Sequence, residues 1–179
     1  MRTFVASEVH SEDVLNAIAK LQSDFSIKAT PVSKQNMHFT LLFLGEISEE
    51  TAEDVKKELA SIKFKPIDVS FTHLGAFPNP NFPRVLWIGT DDASAKQLVD
   101  LARQVEEKLR PLGFRSDKPF RPHLTIFRVK NKIDDISKKI EKFKDTKLGK
   151  DVISEIKFKQ SILTPNGPIY SDLQVISAQ

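Results

Sequence analysis

His38-Phe39-Thr40-Leu41-Leu42 returns 85 positions later as His123-Leu124-Thr125-Ile126-Phe127. Each copy is a histidine, an apolar residue, a threonine and two further apolar residues. Side chains alternate along a strand, so His38 and Thr40 share one face and Phe39 takes the other. The imidazole and the hydroxyl then stand side by side, about 7 Å apart, on a strand with an apolar back. The chain builds this unit twice, once near the middle of each half. Two such strands facing one cleft bring two acid/base groups and two hydroxyl donors together.

The flanking residues repeat an order around each copy. Residues 2–9 alternate as a strand, and Ser11 is placed to cap a helix whose Val14, Leu15, Ile18 and Leu21 recur at helical spacing. Pro31 breaks the chain before the first His-Thr strand, about 36–44, which Gly45 ends. Ser48 caps a second helix with Val55 and Leu59 inward and Glu49 and Glu50 in its first turn. Residues 64–76 read as a strand containing Val69 and Phe71. Phe77 to Pro83, with three prolines, is a stiff loop, and Arg84 to Gly89 is a strand in which Trp87 reads as core. Asp91 or Asp92 starts the longest helix, with Leu98, Leu101, Val105 and Leu109 on one face, and Pro111 and Gly113 end it.

In the second half, a loop from Pro119 to Pro122 leads into a strand over 122–129. The spacing of Ile133, Ile136, Ile140 and Phe143 predicts a helix over 133–144. Val152, Ile156, Phe158 and Ile162 predict one strand over 151–163. Pro165 to Pro168 is a tight turn, and Ile169 to Ile176 closes the sheet. The expected fold is α+β: a duplicated two-lobe fold with two antiparallel-rich sheets facing a central cleft and helices outside. The whole chain, 1–179, is expected to be one domain, each lobe carrying one His-x-Thr strand.

Composition narrows the function. The chain is 40% hydrophobic and 28% charged, as in a globular protein. It has no cysteine, which excludes disulfides, thiolate metal sites and cysteine nucleophiles. No apolar run reaches the 18 or so residues of a membrane span, and the first residues lack the features of a signal peptide. A cytoplasmic monomer is the expectation. Charge is uneven: residues 1–113 carry 13 Lys/Arg against 16 Asp/Glu, whereas residues 114–160 carry 14 against 7. The basic stretch contains the second His-Thr strand, which favours a polyanionic substrate. Lys138, Lys139, Lys142 and Lys144 read equally well as the solvated face of a helix.

Neither His-Thr strand carries a third metal ligand at a neighbouring position on the same face, so no metal is expected. No serine lies in a nucleophile elbow. His10 and His73 lack a threonine partner and read as surface or strand-edge residues. What remains is two-histidine acid/base catalysis. An unperturbed imidazole titrates near pH 6.5, so one can be neutral and one charged close to neutrality. The neutral ring takes a proton from the nucleophile and the charged ring gives one to the leaving oxygen. In-line displacement at phosphorus places the two on opposite sides, with Thr40 and Thr125 donating to the non-bridging oxygens. The residues alone leave open which histidine is the acid.

Several segments together resemble the two-histidine phosphoesterases, in the branch of RNA 2′,3′-cyclic phosphodiesterases also called 2′-5′ RNA ligases. They are Arg2 to Ala6, His38 to Gly45, Phe77-Pro78 through Pro83 to Trp87, Phe120 to Arg128, Ser161 to Leu163 and Gly167 to Tyr170. The lysine-rich, cysteine-free composition resembles that of thermophilic archaeal members. The resemblance implies opening of an RNA 2′,3′-cyclic phosphate to a 2′-phosphate, with no cofactor. It implies His123 as proton acceptor from water, His38 as proton donor to O3′, and Thr40, Thr125 and Arg128 as phosphate-binding groups. Strict alternation would turn Arg128 away from Thr125, so a bulge, twist or strand end must re-aim it. Phe43 and Tyr170 are candidates for stacking on bases, and Arg121 for contacts to the RNA backbone. RNA with a cyclic phosphate end, tRNA halves included, is the implied partner. The alternatives are 2′-5′ ligation of RNA halves at the same site, and RNA binding without turnover.

Overall fold

A computed structural model describes all 179 residues. The strands are β1 (Arg2–Glu8), β2 (Thr30–Pro31), β3 (His38–Glu46), β4 (Ile67–Phe77), β5 (Val85–Thr90), β6 (Leu124–Arg128), β7 (Lys147–Ile153), β8 (Glu155–Thr164) and β9 (Gly167–Ser177). The helices are α1 (Glu12–Asp24), α2 (Glu49–Ala60), α3 (Asp92–Leu109) and α4 (Ser137–Glu141). The three long helices start where the sequence places them. The side chains of Ser11, Ser48 and Asp91 each accept the backbone N–H three residues on, satisfying a donor that the helix cannot.

Two antiparallel sheets form, in the orders β3-β1-β8-β9 and β2-β6-β5-β4-β7. The expected α+β architecture is therefore observed, with one His-Thr segment in each sheet. Neither sheet is made from one half of the chain: the first joins β1 and β3 to β8 and β9. α1 packs against β6 and β7, α3 against β3 and β4, and α2 against α3 and β9. Helices thus cover one face of each sheet, and 40 buried residues form one continuous core. The two sheets approach each other at β3 and β6. None of the helices is long and apolar enough to cross a membrane.

Two expectations are corrected. The helix predicted over 133–144 is only the five residues of α4. Ile136 and Ile140 are buried, and Ile133 and Phe143 pack against the core, so the apolar spacing is used. The chain delivers Ile136 from a loop instead: its N–H bonds Pro80 O, and the Asp135 carboxylate takes the Ser137 N–H. Such local bonds compete with a helical nucleus. The single strand predicted over 151–163 is two strands, β7 and β8, in different sheets. The chain changes sheets at Ser154, so Ile153 is 2% exposed whereas Val152 and Ile162 lie on the outside at 46% and 54%.

Candidate active site

The local construction of the two motifs is the same. His38 Nδ1 donates to Asn36 O at 2.7 Å, and His123 Nδ1 donates to Arg121 O at 2.7 Å. In each case the carbonyl two residues back fixes the tautomer and leaves Nε2 for chemistry. His38 Nε2 lies 3.0 Å from Thr40 Oγ1 on the same strand face. Thr125 holds the matching position beside His123, on β6.

Each motif also contains an extra residue directly after its threonine. Ala6 pairs with Thr40 and Val5 with Leu42, so Leu41 is unmatched on β3. Trp87 pairs with Thr125 and Leu86 with Phe127, so Ile126 is unmatched on β6. Two consecutive side chains therefore enter the core at each bulge: Leu41 and Leu42 at 4% exposure each, Ile126 and Phe127 at 0% and 3%. The next residue is turned back onto the face of the threonine. On β6 it is Arg128, opposite Val85, which shares a face with Trp87 and Thr125. On β3 it is Phe43, opposite Phe4, which shares a face with Ala6 and Thr40. The re-aiming that Arg128 requires is thus supplied, and Phe43 is its counterpart, 67% exposed and packed on Phe4, the ring that His38 also meets.

Aromatic rings surround each imidazole. His38 packs on Phe4 at 5.3 Å and meets Tyr170 edge-on at 5.4 Å. His123 meets Phe77 edge-on at 5.0 Å and Trp87 at 6.4 Å. Trp87 is half-buried beside His123, so the core reading of this residue is corrected: β5 presents it to the cleft, not to the helices. The Arg121 guanidinium lies over the Phe77 ring at 5.4 Å. His10 is exposed and pairs with Glu155, as expected of a surface histidine.

Burial pushes His38 down to about 4; Lys159 and Arg128 add to the fall, while the Asn36 carbonyl and Glu8 oppose it. Burial lowers His123 as well, with Arg121 and Arg128 acting in the same direction against the Arg121 carbonyl bond. Arg128 on β6 thus lowers the proton affinity of both imidazoles, the one beside its own strand and the one on the other sheet. The free site holds two neutral rings near pH 7, not one neutral and one charged. An anionic ligand opposes the Arg128 and Lys159 charges and favours protonation.

Sequence reasoning missed an ion cluster beside His38. Glu8 stands opposite His38 across β1 and β3. It binds Lys159, which is 5% exposed, and Lys157 at 2.9 Å; Lys159 also binds Asp172 at 2.5 Å. The available signal was the alternation of β8: Ile156 and Phe158 face the core, so Lys157 and Lys159 face the cleft. No group of three or more His, Asp or Glu side chains comes together as a metal-binding set.

A family model described as LigT like phosphoesterase matches this chain twice, over residues 9–87 and 88–170, one His-Thr motif in each match. A protein of Archaeoglobus fulgidus named RNA 2′,3′-cyclic phosphodiesterase is 43% identical over 98% of this chain and 99% of its own length. One of the same name from Methanocaldococcus jannaschii is 41% identical over 95% of this chain and 96% of its own. Among solved structures, TT0787 of Thermus thermophilus superposes with a TM-score of 0.81 at 27% identity, covering 99% of this chain and 97% of that one. Escherichia coli LigT in complex with 3′-AMP superposes with a TM-score of 0.79 at 21% identity, covering 99% of this chain and 97% of that one, which shows a shared fold.

Proposed function

Since this chain belongs to the LigT-like phosphoesterase family, we propose that it hydrolyses RNA 2′,3′-cyclic phosphate ends to 2′-phosphates by metal-independent acid/base catalysis. One observation carries the reading: two imidazoles, one at the start of β3 and one directly before β6 of the other sheet, are held alike through Nδ1 with Nε2 left for proton transfer. A paired acid and base is what an in-line displacement at phosphorus requires, and RNA binding alone has no use for it.

In this reading His123 Nε2 accepts a proton from water as the water oxygen attacks phosphorus. The P–O3′ bond breaks, and His38, protonated once the cyclic phosphate is bound, gives its proton to O3′. Thr40 and Thr125 donate to the non-bridging oxygens, and Arg128 supplies positive charge where negative charge accumulates. Phe43 and Tyr170 border the His38 side, where the terminal nucleoside carries the leaving oxygen. Arg121 has a structural task through its carbonyl, and its guanidinium stands at the rim for a backbone phosphate. The protein acts as a cytoplasmic monomer, with tRNA halves among its substrates.

The deciding experiment is incubation of a short RNA ending in 2′,3′-cyclic phosphate with the protein in EDTA. Turnover to a 2′-phosphate is expected. Activity abolished by chelation and restored by zinc, or a 3′-phosphate product, refutes the mechanism.

A further inference from the structure

One side chain of α1 stands where its apolar stripe predicts a core residue. Leu15 and Ile18 are buried, and Gln22 follows at the same helical spacing. An amide on the inner face of a helix needs partners, and Gln22 has two: its Nε2 donates to Ile126 O and to Val32 O, each at 2.9 Å. Ile126 is the extra residue of the β6 bulge, the one whose insertion turns Arg128 onto the face of Thr125. Gln22 therefore binds the backbone of the bulge itself. Little else holds the bulge from that side. The outer neighbour β2 is only Thr30–Pro31, opposite Arg128 and Phe127, and Pro31 has no N–H to give. An antiparallel hydrogen-bonded pair exchanges two bonds, whereas Val32 and Ile126 make one, from the Val32 N–H to Ile126 O at 2.9 Å. The Gln22 amide occupies the place of the second by taking the Val32 carbonyl. It ties β6 to its edge neighbour at the residue that breaks the ladder.

We propose that Gln22 is a positioning residue for phosphate binding: it fixes the bulge at Ile126 and so holds Arg128 on the cleft face. The proposal rests on Arg128 as a phosphate-binding group in the reading above. The physical reason is register. Side chains alternate along a strand, so a bulge lost or moved by one residue turns Arg128 toward the opposite, apolar face. A guanidinium does not enter that face unpaired, so the end of β6 would loosen and Arg128 would lose its aim. One NH2 group carries two N–H bonds at a fixed angle, and here each meets a carbonyl of a different segment. That grip sets the spacing of β6 from its neighbour as well as the place of the bulge. α1 packs on the outer side of β6, away from the cleft. Gln22 touches no reacting atom, and its effect on the reaction passes through Arg128.

The test is a double-mutant cycle of Gln22→Met and Arg128→Ala. Methionine keeps the length of the side chain and donates no hydrogen bond. Two quantities are read: kcat/KM for adenosine 2′,3′-cyclic phosphate, and the dissociation constant of inorganic phosphate by calorimetry. Gln22→Met should worsen each by about tenfold when Arg128 is present, and by less than about twofold in the Arg128→Ala background. Ile18→Val, which thins the same helix face without touching the bulge, should leave both unchanged. Equal losses with and without Arg128, no loss at all, or a wild-type protein that binds no phosphate overturns the proposal. Should Gln22→Met not fold, Gln22→Glu carries the test, since its carboxyl donates one bond when protonated and none when ionised. Its phosphate affinity relative to wild type should recover as pH is lowered from about 7 to about 5, and a constant ratio overturns the role of the amide. If wild-type protein leaves the cyclic phosphate intact, the proposed activity fails, and the phosphate measurements still decide the role of Gln22.

Discussion

The two histidines are equivalent in construction and unequal in surroundings. Each is oriented by a carbonyl two residues earlier, yet His38 lies deeper and beside Lys159. With His38 and His123 as the proposed acid and base, replacing either with alanine should lower kcat by about 10²–10⁴ with little change in melting temperature. Losses of only a few-fold in both would refute an acid/base pair. The pH dependence follows from the lowered proton affinities. kcat/KM reports the free enzyme, in which both rings titrate below their ordinary value of about 6.5. Both limbs of the profile should therefore lie on the acid side of that value, with kcat/KM already falling above it. An optimum above about pH 7.5 would contradict this arrangement. Lys159→Met removes one of the charges that oppose a protonated His38, so the lower limb should move to higher pH.

At the scale of elements, the bulge after each threonine does more than alternation can. It gives a five-residue motif two core anchors and a sixth position on the cleft face. Arg128 gains its place from Ile126, and Phe43 from Leu41. Arg128 is exposed and makes no contact the fold depends on, so Arg128→Ala should lower kcat/KM by about 10²–10³ without shifting the melting temperature. A matching loss of stability would place Arg128 in the scaffold instead. The caps behave oppositely. Asp91 accepts the Ser94 N–H at 2.9 Å, and Asp91→Ala should cost about 1 kcal/mol and lower the melting temperature by about 2–4 °C with activity intact.

For the whole molecule, the two buried histidines make stability depend on pH. The unfolded chain protonates its histidines near pH 6.5, whereas folded His38 resists protonation until about 4. Between these values the unfolded state binds more protons, so stability falls as pH falls and is present in full above 6.5. His123 contributes in the same direction. Glu8 and Asp172, held low against burial by hydrogen bonds from Lys159 and Lys157, lose their contribution at still lower pH. Melting temperature should thus drop between pH 6.5 and 4, and inorganic phosphate should restore part of it by favouring protonated imidazoles. A flat profile over that interval would show that the histidines are not buried as described.

Local physics made much of this protein legible before its structure. Caps at Ser11, Ser48 and Asp91, the apolar faces of α1 and α3, and the two His-Thr strands are encoded in side-chain periodicity and short-range hydrogen bonding, which depend only on neighbours in the chain. Thr40 beside His38 follows from the period of a strand alone. Tertiary structure decided the rest. Where β7 leaves one sheet and β8 joins the other depends on which edges are free, and no window of sequence carries that. The short α4 reflects Pro80, more than 50 residues away, capturing the Ile136 N–H. The aim of Arg128 and Phe43, the depth of Lys159 and the place of Trp87 in the cleft all arise where strands from distant segments pair. Register across strands is a property of the assembled sheet, and it determines which side chains reach the cleft.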